Sequence, residues 1–194
     1  ASMAQRLLDD HKKIFRKAAK ATRLQAFSNT RNAGSLIAQQ IIEQIDIPPN
    51  SKVSGYWPLA EELDTLPTLH ALHTAGHQVL LPVIQGAGKP LVFATWAPGD
   101  TLVAASFNTL EPAADKPRVV PEVMICPLLA FDRKGYRMGY GGGFYDRSIA
   151  QIQTSQELLT IGVAFAAQEV ESIITGPYDM PLHTIVTEQE VIIV

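Results

Sequence analysis

The sequence predicts an α/β fold, with a mainly parallel sheet covered by helices on both faces. Three observations predict it. Short runs such as Val79-Leu80-Leu81, Val123-Met124-Ile125-Cys126 and Ile161-Gly162-Val163-Ala164 are apolar at nearly every position, as strands buried on both sides must be. These runs alternate with longer stretches of helical periodicity. One of them, 123–131, leads into a stretch dense in glycine, and a helical pattern follows. At 194 residues and 46% hydrophobic content, the chain is long enough to bury a core and reads as one domain, 1–194.

Each element has a local reason. Residues 4–26 contain no Pro or Gly and read as a helix. Lys12, Arg16, Lys20 and Arg23 share one of its faces, and Leu7, Ile14, Ala18 and Ala21 make another. The ordinary reading of such a basic stripe is a solvated surface. Ala1 and Ser2, ahead of Met3, read as a cloning remnant and carry no weight in the fold. Ser28 can cap a second helix running to about Ile45, with a stripe at Leu36, Ile37, Gln40, Ile41 and Ile45; Pro48 and Pro49 end it. Lys52–Trp57 reads as a strand stopped by Pro58. The loop through Glu61, Glu62, Leu63, Asp64 and Thr65 leads to a helix at 65–74, ended by Gly76; Asp64 and Thr65 read as its cap. Gln78–Val83 and Pro90–Trp96 read as strands around a turn at 85–89. The stretch 97–121, rich in Pro and Ala, is expected to wrap the surface. Val123–Cys126 is the central strand, a helix starting near Phe144 runs to about Gln153, and Leu158–Phe165 is another strand. Thr184–Thr187 and Val191–Val194 are terminal strands, one or both antiparallel at an edge. Strand order is not encoded in these local patterns.

Composition excludes several classes. A formal net charge of −3 argues against general nucleic-acid binding. No apolar run approaches a membrane span, and the N-terminus lacks a signal-peptide core. The single cysteine, Cys126, excludes an internal disulfide and favours a cytoplasmic setting. It lies in an apolar strand before a proline, so an inert thiol is expected there. His73 and His77 are four apart, but Gly76 breaks the helix between them, so His70, His73 and His77 read as surface residues.

The most informative stretch is 132–147, Asp-Arg-Lys-Gly-Tyr-Arg-Met-Gly-Tyr-Gly-Gly-Gly-Phe-Tyr-Asp-Arg. Gly135, Gly139, Gly141, Gly142 and Gly143 permit backbone N–H groups to converge. The following helix start adds unpaired N–H groups and a positive dipole end. Arg133, Lys134 and Arg137 add charge. Together these favour an anion, a polyphosphate most of all. The spacing is neither a Walker A loop nor a dinucleotide Gly-x-Gly-x-x-Gly.

Gly135-x-Arg137-Met138-Gly139-x-Gly141-Gly142-Gly143-Phe144-Tyr145-Asp146 resembles the signature of the 5-formyltetrahydrofolate cyclo-ligase family. Five further stretches resemble the family. They are Lys12-Lys13-Ile14-Phe15-Arg16, Glu62-Leu63-Asp64-Thr65, Glu111-Pro112, Ala166-Ala167-Gln168 and Pro177-Tyr178-Asp179-Met180-Pro181, although Glu111 is given no chemistry. The resemblance implies a Rossmann-like three-layer domain that uses ATP and Mg²⁺ to cyclise 5-formyltetrahydrofolate to 5,10-methenyltetrahydrofolate. It implies that Lys12, Arg16 and Arg137 supply catalytic positive charge. Met138, Gly139, Tyr140, Gly141, Gly142, Gly143, Phe144 and Tyr145 would join them in holding ATP. Trp57, Glu62, Tyr140 and Phe144 would hold the folate, and Asp146 and Asp179 the Mg²⁺. Phe144 stands where the family more often has Tyr. A monomer, without nucleic-acid or membrane partners, is the expectation. Two other classes suit a similar sheet: a sugar-phosphate isomerase, which would need an acid/base pair not evident beside the loop, and a non-catalytic nucleotide-binding module.

Overall fold

A computed structural model describes residues 1–194. Its centre is a seven-stranded sheet, built from β1 (Lys52–Ser54), β2 (Gln78–Val83), β3 (Val92–Trp96), β6 (Val123–Cys126), β9 (Leu159–Val163), β10 (Thr184–Val186) and β11 (Val191–Ile193). The spatial order is β11-β10-β9-β6-β1-β2-β3. The five inner strands are mutually parallel. Both edges are antiparallel: β11, as expected from the sequence, and β3, which the connection 84–91 folds back on β2.

The doubly apolar strands serve two cores. Val79, Leu81, Val123 and Ile125 point to the face covered by α2 (Ala33–Gln44) and α3 (Leu66–Thr74), against Ile37, Ile41, Leu69 and Leu72. Leu80, Met124 and Cys126 point to the other face, against Ile149 and Ile152 of α4 (Phe144–Gln153). This is the three-layer arrangement. Fully burying one such aliphatic side chain contributes roughly 1.5–3 kcal/mol, so the paired cores dominate stability.

Several local expectations are corrected. The first helix, α1 (Met3–Asn29), runs past Ala26, and Ser28 lies inside it, its hydroxyl bonded to the Leu24 carbonyl. Ser2 does belong to the fold, because its Oγ caps α1 by accepting from the Gln5 N–H at 3.1 Å. The faces of α1 are reversed from the simple hydropathy reading. Leu7 and Ile14 are exposed, as are Ala18 and Ala21, whereas Ala19, Arg23 and Ala26 are buried. The helix rests its basic stripe on the rest of the chain because polar partners await it there. The stretch 97–121 holds a small hairpin, β4 (Leu102–Ala104) with β5 (Leu110–Pro112). The central strand does not feed the glycine loop directly. A second hairpin intervenes, β7 (Ala130–Phe131) with β8 (Arg137–Met138), and places Arg137 and Met138 in a strand. Gly135 makes its turn at φ +88°, where an added Cβ would meet the Leu182 carbonyl oxygen.

His77 is not a free surface group: its Nδ1 accepts from the Ser51 N–H at 3.1 Å. His70 stands edge-on to Trp96 with centroids 5.7 Å apart. No group of three or more His, Cys, Asp or Glu side chains converges as a metal site, and no helix is long and apolar enough to cross a membrane.

Candidate active site

In open α/β sheets, ligands sit beyond the carboxyl ends of the strands where the winding direction reverses. Here that point lies between β1 and β6, since the chain moves one way from β1 to β2 and the other way from β6 to β9. A cavity of about 490 Å³ opens there. Its walls come from Tyr56 and Trp57 after β1, Pro127 after β6, the end of β2, the β5 hairpin, the glycine loop and one face of α1.

Every residue predicted to contact ATP, folate or Mg²⁺ lines this one cavity, from Lys12 and Arg16 through Trp57, Glu62 and 137–146 to Asp179. Proximity is what the structure supplies; the assignment of each residue to a ligand is taken up under the proposed function. Arg133 is brought elsewhere. It forks onto Glu169 and Glu190 at 3.0 Å each, far from the cavity lining, so its charge does not serve the loop. Lys134 is likewise absent from the lining.

The loop geometry follows from its glycines. Gly141 (φ +101°) and Gly143 (φ +69°) occupy left-handed backbone that other residues resist. Gly142 does not need positive φ; there a Cβ would stand 2.8 Å from the Phe144 ring. Gly143 is the N-cap of α4, so the helix start faces the cavity with no side chain satisfying its first N–H groups. Arg147 closes the loop from behind, with its guanidinium 5.3 Å from the Phe144 ring centroid and Nη2 donating to the Gly142 carbonyl at 2.6 Å.

Three cations face the cavity from different directions. Arg137 is almost wholly enclosed, at 5% side-chain exposure, yet its protein contacts are weak: 3.5 Å to the Pro127 carbonyl and 3.6 Å to Asp146. Its Nε has no partner. Arg16 donates to the Gly139 carbonyl at 3.2 Å and pins the loop to α1. Lys12 pairs with Asp179 at 3.0 Å, and the Gly176 N–H donates to the same Asp179 oxygen at 2.7 Å. Asp146 sits in the first turn of α4 and accepts from the Met180 N–H at 3.3 Å.

Beside the cations the lining is also aromatic and acidic. Trp57 is half-buried and packs edge-on to Trp96, centroids 6.1 Å apart. Glu62 is buried; Oε1 accepts from the Leu59 N–H at 2.6 Å and Oε2 accepts from the Tyr140 hydroxyl. Burial, and then the nearby Glu62 carboxylate, pushes the Tyr140 hydroxyl well above its ordinary range. Burial likewise raises Tyr56 and Tyr145, so all three phenols keep their protons. Burial pushes the Cys126 thiol up to about 12, which removes it as a nucleophile.

The sequence reading missed two contributors, and it left one lining residue, Glu111, without chemistry. Arg23 donates to the Tyr140 hydroxyl from α1; its place on the Lys12–Arg16 stripe was the available signal. Phe107 packs edge-on to Phe144 at 5.8 Å, with φ +58°; no local pattern announced it. Glu111 lines the cavity but is buried and bonded to the Ile84 N–H at 2.8 Å, which suits a structural part.

Fold and cavity define the class: an α/β protein whose glycine loop and helix start line a cavity at the switch point of a parallel sheet. A sequence profile described as the 5-formyltetrahydrofolate cyclo-ligase family matches residues 7–188, and the chain belongs to that family. The 5-formyltetrahydrofolate cyclo-ligase of Escherichia coli K12 is 39% identical over 136 residues, covering 67% of this chain and 74% of that protein. The enzyme of that name from Haemophilus influenzae is 30% identical over 154 residues, 77% of this chain and 82% of that one. Among solved structures, the 5,10-methenyltetrahydrofolate synthetase of Aquifex aeolicus superposes with a TM-score of 0.77 at 24% identity, covering 94% of this chain and 92% of that one; it supports the fold.

Proposed function

We propose that this chain is an ATP- and Mg²⁺-dependent ligase that cyclises 5-formyltetrahydrofolate to 5,10-methenyltetrahydrofolate. The observation that carries the reading is the single cavity in which a cation-ringed glycine loop faces a buried carboxylate and an indole. One wall suits a polyphosphate and the other a flat heterocycle bearing N–H donors.

The chemistry needs no protein nucleophile. The formyl oxygen attacks the γ-phosphorus of ATP, the bond to ADP breaks, and the formyl carbon becomes an electrophilic iminium. N10 of the folate then bonds to that carbon, the C–O bond breaks, phosphate departs, and N10 loses its proton. Catalysis is therefore positioning plus charge stabilisation. Arg137 has donors left over after its long protein contacts and can fork onto phosphate oxygens. Arg16 holds the loop against α1, and Lys12 adds a second point charge. Trp57 offers a face for the pterin, and Glu62 has lone pairs free for its N–H groups.

The donor set fits Mg²⁺, a hard cation that takes one or two carboxylates together with substrate phosphates. Asp146 and Asp179 both line the cavity, while no His side chain does. They would hold the ion, which when bound would neutralise phosphate charge. Their present partners, Arg137 and Lys12, would be freed toward the phosphates. A cytoplasmic monomer is part of the same reading.

The test is incubation of the purified protein with 5-formyltetrahydrofolate and Mg-ATP. A new near-ultraviolet absorbance from the methenyl product is expected, with one ADP per product. ATP consumption without folate turnover would overturn the reading.

A further inference from the structure

We propose that Arg23 is a positioning residue that anchors a hydrogen-bond chain from α1 through Tyr140 to Glu62, and so sets affinity for the folate. The proposal rests on the reading of Glu62 as the folate carboxylate.

Three parts of the chain meet here. Arg23 on α1 is 9% exposed, its Nη1 donates to the Tyr140 hydroxyl, and its guanidinium lies 5.5 Å from the ring centroid. Tyr140, on the loop assigned to ATP, donates its hydroxyl proton to Glu62 Oε2. Glu62 Oε1 is held separately by the Leu59 N–H.

A guanidinium can only donate, an ionised carboxylate can only accept, and a phenol can do both at once. Glu62 therefore takes the Tyr140 proton, and Arg23, donating to the phenol oxygen from behind, holds that hydroxyl in place against it. Burial and Glu62 keep that proton on the phenol. The carboxylate is thereby fixed at both oxygens, with its remaining lone pairs turned to the cavity. Arg23 also places a cation one hydroxyl away from a buried carboxylate that has no direct ionic partner. Such a carboxylate is costly to bury unpaired. Arg23 Nε is itself buried without a partner, a cost a purely packed helix position would not keep. Because Tyr140 sits on the glycine loop, the same chain ties the nucleotide wall to the folate wall.

The test compares Arg23→Gln, Arg23→Lys and Tyr140→Phe by steady-state kinetics and thermal melting. Arg23→Gln should raise KM for 5-formyltetrahydrofolate about tenfold while KM for ATP changes less than about threefold. Arg23→Lys, still a cationic donor, should recover part of the loss. In the Tyr140→Phe background the Arg23→Gln change should have little further effect, because the link is already cut. A second cycle, Arg23→Gln with Glu62→Gln read by melting, tests the network without turnover: the two losses should be non-additive with Tyr140 present and additive in the Tyr140→Phe background. If the wild type turns over no folate, the functional reading fails while this melting cycle still tests the chain. Additive melting losses in the protein that keeps Tyr140, or a destabilised Arg23→Gln enzyme with unchanged folate KM, overturns the proposal.

Discussion

Arg137→Ala isolates the charge held deepest in the cavity. In the wild type its guanidinium is nearly fully enclosed but poorly satisfied, with two contacts at 3.5 and 3.6 Å and an unpartnered Nε. It also lies 5.5 Å from the Tyr145 ring centroid. The protein alone therefore gains little from it, and a bound phosphate gains more. Losing a charge-assisted hydrogen bond costs about 1.5–3 kcal/mol. At about 1.4 kcal/mol per decade, ATP affinity should fall roughly 10- to 150-fold. Folate affinity should change less, because the hydrogen bonds and ion pair of Arg137 go to Pro127 and Asp146 and not to Trp57 or Glu62. Calorimetry with each substrate alone, beside a melting curve, reads all three quantities. A folded Arg137→Ala protein with wild-type ATP affinity would refute the reasoning.

Other perturbations separate the remaining parts. Gly142→Val should abolish ATP binding with the sheet intact, because its Cβ would press on the Phe144 ring; normal ATP binding by calorimetry would reduce the loop to a connection. Asp146→Asn should raise the Mg²⁺ concentration needed for half-maximal rate, and excess Mg²⁺ should partly restore turnover; an unchanged Mg²⁺ titration counts against the metal role. Glu62→Gln should raise folate KM and be insensitive to added Mg²⁺, which the same titration checks. Stability should fall with rising pH from about 9 toward 12. The folded Cys126 thiol titrates near 12 against an ordinary 9.0, and the buried Tyr56 and Tyr145 phenols are shifted the same way. The native state then holds more protons than the unfolded state, so alkali favours unfolding. Urea midpoints that stay flat across that range would contradict it.

What was legible in the sequence was whatever rests on short-range pattern. The doubly apolar strands β2, β6 and β9 announced a covered parallel sheet, and the density of glycine at 139–143 pointed to the loop that lines the cavity. The structure bore out the fold class. Strand order was not legible, because β6 and β2 flank β1 through contacts no local window contains. The faces of α1 were misread for a related reason. Its buried side is chosen by Gly139, Tyr140 and Asp179, which lie far along the chain, and not by its own hydropathy. Arg133 was misplaced because Glu169 and Glu190 outcompete the loop for it. The direct strand-to-loop connection failed because Gly135 supports a hairpin there.

The reversed seating of α1 bears on the order in which the molecule can be completed during synthesis. The groups that dock this helix are 123, 117 and 167 residues further along the chain, at Gly139, Tyr140 and Asp179, and so are synthesised after it. Arg16 and Arg23 have no destination until Gly139 and Tyr140 emerge, and Lys12 has none until Asp179 does. The helix cannot take its final seat before then. Such long-range closure slows folding. It also means that a nascent chain can join Tyr140 to Glu62 before it can close the Lys12–Asp179 side of the cavity.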